Sequence, residues 1–424
     1  MKILMLAPEP FFTVRGTPFS ILHRVGALSE LGHEVDLVTY HLGEDVSFPG
    51  LAVYRILRLP FIRHVKVGPS LVKLPLDLLM FGHAGLMCLW KSYDCVHTHE
   101  EAALMGAMLS AVFGIVHVYD MHSSLPQQFV NYNYFRLFPG LFLSASRAVE
   151  RFILEHSDAV IAICPHLKDI ALAEGARGRV EVIENLPLVS PSFQNDPGGA
   201  RKLRDSLGIG DRLVALYTGT FEYNQGLEEI VRCIPLVVKE VPGIVFLLVG
   251  GEPHQVEAIR ALGERLGVSG HLILPGRRPL HEMDLYMAAC DILLSFRKIG
   301  TNTPLKIYSY LLSGKPTVAT DLLVHTQVLS RDVALLTEPT VEAFARGIIT
   351  LARDPNLRRR IGENGRRLAE RRYTRPAYLD RMRELYGAVQ TMLRRGVALL
   401  LMSTLIRCLA AEELWICSEM SEFI

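Results

Sequence analysis

The sequence predicts an α/β fold made of two tandem, Rossmann-like, doubly wound domains that face each other across a cleft. The chain has 424 residues, of which 50% are hydrophobic, so it is long enough to form two separate cores. Apolar segments of strand length alternate with helical segments along the whole chain. The strand segments are short, nearly continuous apolar runs, which is typical of parallel strands that helices cover on both faces.

Each half of the chain supplies five predicted strands. A helix is expected after the first strand, from about Phe19 to Leu31. The strands of the first half have the sequences KILMLA, EVDLVTY, CVHTH, IVHVYDMH and AVIAIC. Those of the second half are LVALYTGT, IVFLLVGG, HLILPG, DILLSF and PTVATD. The stretch from Asn185 to Gly199 is rich in Pro, Gly, Ser and Asn, and it predicts the boundary between the domains.

Composition and charge argue against several classes of protein. The 45 Lys and Arg residues nearly balance the 44 Asp and Glu residues, and a formal net charge of +1 argues against a nucleic-acid-binding protein. No apolar run reaches the roughly 18 residues that a membrane-spanning helix needs, so no span is predicted. The seven cysteines form no C-x-x-C pairs, which indicates a reducing compartment. We therefore expect a cytoplasmic protein.

Three segments leave alternatives open. The arginine-rich stretch 353–395 is either a solvated helical face or a contact for an anionic membrane surface. The apolar stretch from Phe61 to Trp90, with Lys66 and Lys73, either packs against other helices or faces a membrane. The apolar tail from Gly396 onward is too short to cross a membrane, and is either a membrane-surface segment or an extension without fixed structure.

The loops that follow the first-half strands contain the first candidate site residues. Gly16 comes just before a helix, where backbone N–H groups can approach an anion. The surrounding sequence is not G-x-G-x-x-G, so a dinucleotide-dependent oxidoreductase is disfavoured. His122 ends a buried strand and precedes a polar loop, and its imidazole can hydrogen-bond a hydroxyl or a phosphate.

The segment HTHEE places His97 and His99 on one side of a strand, because side chains alternate along a strand. A metal site would need a further ligand, and His122 or Glu100 could supply it. We favour the alternative in which one histidine packs in the sheet and the other lies at the edge of the cleft. No bound metal is expected.

The second half carries candidate phosphate- and sugar-binding loops. Thr220 and Gln225 follow the strand that ends near Gly219, and their side chains can donate hydrogen bonds without adding charge. Gly250 forms a tight turn between a strand and a helix, which admits the close approach of a ligand.

The segment SFRKIGTNTPLKIYSYLLSGKP is the strongest candidate site. Thr303 suits a helix N-cap and Pro304 the first helical position, so free N–H groups and Lys306 would form a diphosphate site. Arg297 and Lys298 add positive charge nearby, and Ser309 lies on the same helix face as Lys306. The alternative is a capped surface helix followed by a buried strand.

Taken in order, these segments resemble the GT-B glycosyltransferases, specifically glycosyltransferase family 4, also called group 1. The resemblance extends from about Met1 to Leu393. VYDMHS matches the strand end that carries the family's active-site histidine, here His122. The segments that match the donor-binding half of the family are YTGTFEYNQG, FLLVGGEP and the stretch from Gly300 to Thr320. The resemblance implies that Thr301, Asn302 and Thr303 form part of the donor-binding loop.

The chain departs from the family pattern at four positions. Thr220 and Gln225 stand where the family usually has an Arg and a Lys that neutralise the donor diphosphate. Thr301 and Ser309 stand where the family has the two glutamates of its E-x7-E motif. Arg297, Lys298 and Lys306 would compensate for the lost cations, so we favour a divergent working enzyme.

The resemblance implies the domain organisation and the function. The expected function is transfer of a sugar from a nucleotide-diphosphate sugar to a hydroxyl group of a glycan or a lipid-linked acceptor, and the resemblance implies retention and no required metal. A lipid-linked acceptor is expected from the apolar stretch between Phe61 and Trp90. The expected location is the cytoplasm, with the inner face of the cytoplasmic membrane as the alternative. The alternatives are a non-catalytic sugar-nucleotide-binding scaffold and a GT-B epimerase. The expected parts are an acceptor-side domain (1–188), a linker (189–201), a donor-binding domain (202–374), a helix that crosses back to the first domain (375–395) and the apolar tail (396–424).

Overall fold

The computed structural model describes residues 1–13, 16–65, 70, 72–132, 139–188 and 196–394, and it contains two parallel β-sheets. The first sheet has the strand order β3-β2-β1-β4-β5-β6-β7. The order reverses between β1 and β4, and ligands of such sheets bind at the carboxyl ends of the strands on either side of this point. Its strands are β1 (Lys2–Ala7), β2 (Glu34–Thr39), β3 (Leu51–Arg55), β4 (Cys95–His99), β5 (Val116–Met121), β6 (Ala159–Ala162) and β7 (Arg179–Val182).

The second sheet repeats this plan with the order β10-β9-β8-β11-β12-β13. Its order reverses between β8 and β11, and all of its neighbouring strands run parallel. Its strands are β8 (Leu213–Thr218), β9 (Ile244–Val249), β10 (Leu272–Gly276), β11 (Ile292–Ser295), β12 (Thr317–Thr320) and β13 (Leu335–Thr337). The predicted class of two parallel, Rossmann-like sheets is confirmed.

Helices connect successive strands and cover the sheets. The last of them, α15, spans residues 375–394. The others are α1 (Gly16–Glu30), α2 (Lys73–Trp90), α3 (Ala102–Phe113), α4 (Leu125–Tyr132), α5 (Pro139–Glu155), α6 (Pro165–Ala173), α7 (Pro197–Ser206), α8 (Leu227–Glu240), α9 (Pro253–Arg265), α10 (Met283–Ala288), α11 (Lys306–Ser313), α12 (Leu323–Thr326), α13 (Val341–Arg353) and α14 (Pro355–Arg372). Among the described residues, no helix is long and apolar enough to cross a membrane.

The end of the described chain packs against the first sheet. α15 contributes Tyr378, Met382, Leu385, Tyr386 and Val389 to a buried core that also contains residues of α1 and of β1, β2, β4, β5 and β6. All five side chains are at most 3% exposed, so α15 is an integral part of the first sheet's core. The helix that follows α14 of the second domain therefore packs on the first sheet.

The structure corrects several details of the predicted organisation. Strands β3, β7 and β13 were not predicted, and each lies at the edge of a sheet. Residues 197–201 of the predicted linker belong to α7, because Pro197 begins that helix and Asp196 caps it by accepting a hydrogen bond from the Gly199 N–H. The remaining linker residues 189–195, Lys66 and the tail from 395 lie outside the described residues.

The loops at the ends of β8 and β9 come into backbone contact at Gly219 and Gly250. Gly250 has a φ of +128°, and a Cβ atom there would lie 1.8 Å from the Gly219 carbonyl oxygen. Only glycine permits both this backbone conformation and this close approach. The candidate donor-binding loops therefore depend on a backbone packing that leaves no room for a side chain.

We expect the Gly250→Ala variant to lose roughly 2 kcal/mol or more of the free energy of unfolding, because the new methyl group meets the Gly219 carbonyl. Urea denaturation followed by circular dichroism measures this loss. The matched control is Gly267→Ala, where φ is +68° and no atom lies within 4 Å of the new Cβ. The control should lose only about 1 kcal/mol, and equal losses in the two variants would contradict the close contact.

Candidate active site

The centre of the first domain is a buried ion pair between Arg24 of α1 and Asp120 near the end of β5. The Arg24 Nε atom lies 2.7 Å from Asp120 Oδ2, and both side chains are 0% exposed. The same guanidinium donates to the Tyr378 hydroxyl at 2.5 Å and to the Ile183 carbonyl at 2.8 Å. Arg24 thus connects α1, the strand that leads to His122, the end of the first sheet and α15.

Three histidines surround Asp120. His97 Nε2 and His122 Nε2 each lie 3.4 Å from an Asp120 oxygen, and His99 Nδ1 lies 3.7 Å away. His99 Nδ1 is also 3.1 Å from His122 Nε2. These residues come together because β4 and β5 are neighbouring parallel strands whose carboxyl ends meet at one edge of the sheet.

Burial and the ion pair set the charges of this cluster. Burial by itself would raise the pKa of Asp120, but Arg24 and the neighbouring histidines hold it well below its usual value. Burial lowers the pKa of His122 to about 4, although the Asp120 charge opposes this. Burial also lowers the pKa of His99 well below its usual value. The cluster therefore contains an ionised carboxylate and neutral imidazoles at neutral pH.

The prediction that one of the two histidines on β4 lies at the cleft edge is wrong, because His97 and His99 are both 0% exposed. His97 Nδ1 hydrogen-bonds the Tyr386 hydroxyl of α15, and His99 is enclosed by Asp120 and His122. His97, His99 and Asp120 place possible ligand atoms within 4.8 Å of one another. Asp120 is already neutralised by Arg24, which disfavours a divalent cation there. The expected lack of a metal requirement stays a prediction.

A hydrogen-bonded network crosses the cleft between the two sheets. The Asn302 side chain donates to the His122 carbonyl at 2.5 Å, and the Thr301 hydroxyl donates to Gln127 of α4 at 3.0 Å. Gln327, just beyond α12, donates to the Thr301 carbonyl at 2.6 Å and accepts from the His166 N–H at 2.9 Å. The loop that the sequence assigned to the donor therefore contacts the strand end that carries His122.

Glu100 follows β4 at the same edge of the first sheet. It has a φ of +48°, which is unusual for a residue other than glycine. Its carboxylate accepts a hydrogen bond from Ser123 at 2.7 Å and one from Gln128 at 3.3 Å. Burial, followed by the charge on Glu101, raises the pKa of Glu100 to about 7. Glu100 is therefore hydrogen-bonded to Ser123 and Gln128 and does not belong to the cluster of histidines around Asp120.

Lys306 lies at the facing edge of the second sheet. Its Nζ atom is 3.7 Å from the centre of the Tyr217 ring and donates to Gln225 Oε1 at 3.3 Å. Burial, followed by the charge on Arg297, lowers the pKa of Lys306 well below its usual value. An anion bound beside this amine would favour its protonated form. The structure thus brings Lys306 and Gln225 together, next to Gly219.

The other predicted residues of the second domain lie in several different environments. Lys298 pairs with Glu229 of α8 at 2.5 Å and lies over the Tyr223 ring. Thr220 is exposed, and its carbonyl accepts a hydrogen bond from Tyr217. Ser309 is buried, and its hydroxyl accepts from the Leu188 N–H at 2.9 Å. The assignment of Ser309 to the donor site stays a prediction. In the structure its hydroxyl oxygen holds the chain that leads into the linker.

The helix that carries Lys306 begins later than predicted. α11 starts at Lys306, and Leu305 is its N-cap residue without a side-chain cap. The Ile307 N–H donates to the Pro304 carbonyl at 2.9 Å, so Thr303 and Pro304 belong to the turn before the helix. Thr303 is buried there, as is Arg297 near β11. The predicted N-cap role of Thr303 is therefore wrong.

Gly16 is the first residue of α1, and within the described part of the chain, which omits residues 14 and 15, no atom lies within 4 Å of the position that a Cβ would occupy. Sequence reasoning missed Arg24, Asp120, Gln127 and Gln327. Asp120 stands two residues before His122 in a strand that was predicted as buried. A buried carboxylate needs a partner for its charge, so this residue could have indicated a buried cation nearby.

With this geometry established, comparison with known proteins identifies the class. The family model described as Glycosyltransferase Family 4 matches residues 14–186, and the model described as Glycosyl transferases group 1 matches residues 200–368. Together the two matches take in more than half of the chain. The chain belongs to the group 1, family 4 glycosyltransferases, which have the GT-B fold.

Individual relatives are distant in sequence. EpsD of Bacillus subtilis (strain 168) is 24% identical over 318 residues, which cover 71% of this chain and 78% of EpsD. Sucrose-phosphate synthase from Thermosynechococcus elongatus has a TM-score of 0.73 at 20% identity, covering 92% of this chain and 99% of its own. HepE from Anabaena, in complex with UDP, has a TM-score of 0.69 at 20% identity, covering 92% of this chain and 100% of its own. HepE is also known in complex with UDP-glucose.

Removal of one partner from the Arg24–Asp120 pair should be strongly destabilising, because an unpaired charge remains buried. We expect Arg24→Met and Asp120→Asn each to lower the free energy of unfolding by about 3–5 kcal/mol. The double variant should lose clearly less than the sum of the two single losses. Urea denaturation of the three variants measures this coupling, and additive losses would show that the pair does not act as a unit.

Acidification should destabilise the fold through its buried histidines. Burial lowers the pKa of His23, His117 and His122 to about 4, whereas an unfolded histidine titrates near about 6.5. As the pH falls from about 6.5 to about 4, the unfolded chain takes up protons that the folded chain does not. Each histidine therefore lowers the free energy of unfolding by about 1.4 kcal/mol per pH unit in this window, and contributes nothing above it.

Urea denaturation at a series of pH values measures this slope. The His117→Gln variant should show a shallower fall than the wild type, because one of the buried histidines with a lowered pKa is gone. The control is His254→Gln on α9, where the side chain is exposed, and it should keep the wild-type slope. An unchanged slope in His117→Gln would contradict the lowered pKa that burial gives to His117.

Proposed function

We propose that this glycosyltransferase moves a sugar from a nucleotide-diphosphate sugar, with retention, to a hydroxyl group of a glycan or a lipid-linked acceptor. The observation that carries the proposal is the meeting of two loops at the facing carboxyl ends of the sheets. One loop contains His122, and the other leads to Lys306; Asn302 joins them by its hydrogen bond to the His122 carbonyl. Ligands of parallel sheets bind at such an edge.

Stabilisation of the leaving group is the chemical task assigned to the second domain. The bond between the anomeric carbon and the diphosphate oxygen breaks, and negative charge develops on the diphosphate. The Lys306 Nζ atom lies 3.7 Å from the position that a Cβ of Gly219 would occupy, and a diphosphate beside this amine would restore its positive charge. The acceptor oxygen then bonds to the anomeric carbon, and its proton passes to the departing diphosphate. Retention of the configuration at the anomeric carbon is proposed only because the chain belongs to this family.

His122 is assigned a positioning role for the donor sugar or the acceptor. Its side chain is 4% exposed, and its pKa is lowered to about 4, so it is neutral at physiological pH. A neutral imidazole held by Asp120 can accept or donate a hydrogen bond without carrying charge to the reacting centre. The Arg24–Asp120 pair fixes the strand end from which it projects.

Thr301 and Ser309, which replace the two family glutamates, take part in contacts between the domains instead. Thr301 donates to Gln127, and Ser309 accepts from the Leu188 N–H. Their hydroxyl groups are too weak as acceptors to replace a carboxylate on a ribose or a sugar. We therefore assign donor affinity mainly to the diphosphate site around Lys306, and this favours an enzyme over a scaffold that merely binds sugar nucleotides.

The Lys306→Ala variant should release nucleotide from the donor at least about tenfold more slowly than the wild type, because the leaving group loses its cation. The measurement is nucleotide release from UDP-, GDP- and ADP-sugars, with and without membrane extract as the source of acceptor. UDP-glucose is the first donor to test, since HepE is known in complex with it. The control is Lys239→Ala, an exposed lysine of α8, and it should keep the wild-type rate.

The same assay separates the alternatives. Unchanged turnover in Lys306→Ala would contradict the diphosphate site. Donor binding without turnover on any donor and acceptor would indicate a scaffold, and conversion of the donor into its epimer without transfer would indicate an epimerase.

We also propose that catalysis requires no metal. Excess EDTA should leave nucleotide release unchanged within about twofold, because Lys306 supplies the charge that a metal would otherwise bring. Loss of activity that a divalent metal restores would overturn this proposal and direct attention to His97, His99 and Asp120.

A further inference from the structure

One helix of the first domain has an apolar face that nothing in the described structure covers. α2 packs Leu76, Met80, Ala84 and Met87 against the first sheet. Its opposite side is apolar as well, and Leu78 is 73% exposed. A helix that is hydrophobic all round is normally buried on all sides or lies against a membrane.

The exposed apolar residues of α2 lie on one side of the helix, next to Leu57. Leu78, Leu86, Leu89 and Trp90 recur at the spacing that places them on one side of a helix. Each is at least 50% exposed, and Trp90 reaches 81%. Leu57 also lines a shallow groove of about 430 Å³ with Leu78, Leu86 and Trp90. We call this set, together with Phe61, the α2 surface: Leu57, Phe61, Leu78, Leu86, Leu89 and Trp90.

The exposed charged side chains next in sequence to the α2 surface are basic. Arg58 and Arg63 are exposed and lie beside Leu57 and Phe61 in the chain, whereas Lys91 after Trp90 is paired with Asp36. The only carboxylate between residues 57 and 93 is Asp77. Asp77 accepts a hydrogen bond from the Tyr40 hydroxyl at 2.5 Å, and burial raises its pKa to about 7. An apolar face with a basic rim complements an anionic lipid surface and repels a second copy of itself.

The position of α2 connects this surface to the cleft. Lys73, the first residue of α2, pairs with Glu101 at the start of α3. Glu101 follows Glu100 at the carboxyl edge of the first sheet, where Ser123 and His122 also lie. Lys91, just after the other end of α2, pairs with Asp36 within β2. Thus α2 begins at the cleft edge and extends down the flank of the first domain, and the α2 surface lies on the part of the helix from Leu78 to Trp90.

We propose that the α2 surface docks on an anionic phospholipid bilayer. Leu78, Leu86 and Trp90 enter the boundary between headgroups and acyl chains, and Arg58 and Arg63 contact lipid phosphates. Docking brings the cleft to the membrane, where a lipid-linked hydroxyl acceptor can reach His122 and the donor. This last step rests on the proposed transferase function, whereas docking itself does not.

The test is co-sedimentation of the full chain with vesicles of phosphatidylcholine alone or of phosphatidylcholine mixed with phosphatidylglycerol. The wild type should partition at least about tenfold more strongly onto the anionic vesicles, and less so at high salt. The double variant Leu78→Glu/Leu86→Glu should lose at least about tenfold of this binding. Both side chains are exposed, so the fold should persist, and circular dichroism checks this.

The matched control is Leu236→Glu/Leu323→Glu, which adds the same charge at two exposed leucines of the second domain. It should bind anionic vesicles like the wild type. Equal binding by the two double variants, or no preference of the wild type for anionic lipid, would overturn the proposal.

Two further measurements exclude other occupants of the α2 surface. A chain that ends at Arg394 should still bind the vesicles, and loss of binding would assign docking to the tail. Gel filtration without vesicles should show no dimer that Leu78→Glu/Leu86→Glu dissociates, and such a dimer would assign the surface to a second copy.

Nucleotide release from UDP-glucose, measured without vesicles, should be unchanged in the double variant Leu78→Glu/Leu86→Glu. A failure of docking and a failure of the transferase function are therefore distinguishable.

Discussion

The architecture of the first domain depends on the ion pair between Arg24 and Asp120. A buried charge is tolerated only when its partners hold it from several sides, and the partners of Arg24 come from three other parts of the chain. Arg24 extends from α1 to Asp120 on β5, to the Ile183 carbonyl beyond β7 and to Tyr378 of α15. The first helix, the strand that carries His122, the exit toward the linker and the returning helix are therefore fixed together. A change in the angle between the two domains would have to act on this rigid unit as a whole.

The sequence predicted the central strands because they are covered on both faces and read as apolar runs. β9 is an example, since all six of its residues are buried. The edge strands β3, β7 and β13 are covered incompletely, which weakens their apolar pattern, whereas the edge strand β10 is also only partly buried but kept a sequence apolar enough to be predicted. All five residues of β3 are only partly buried, and β7 buries one residue of four. Charged side chains, such as those in the sequence RVEV, are compatible with an edge and mask the strand pattern.

The candidate site could be predicted in part. Position after a strand was enough to select His122, Lys306 and Gln225, because the carboxyl ends of parallel strands share one edge. The hydrogen-bond partners of the site residues could not be predicted, because these bonds join residues that are far apart in the chain. Nothing local in Ser309 indicates that it receives the Leu188 N–H, and nothing in Thr301 indicates Gln127. Likewise the pattern of α2 indicated an apolar helix, whereas the exposure of one side is a property of the folded molecule.

The hydrogen bond from Asn302 to the His122 carbonyl has a consequence for ligand selection. These polar groups of the two loops satisfy each other, so they form part of the contact between the domains. A molecule that entered between the loops would have to break both bonds and offer hydrogen-bonding groups in their place. The same two bonds that join the domains would therefore also weigh against an apolar ligand at this edge, because it would leave both loops unpaired.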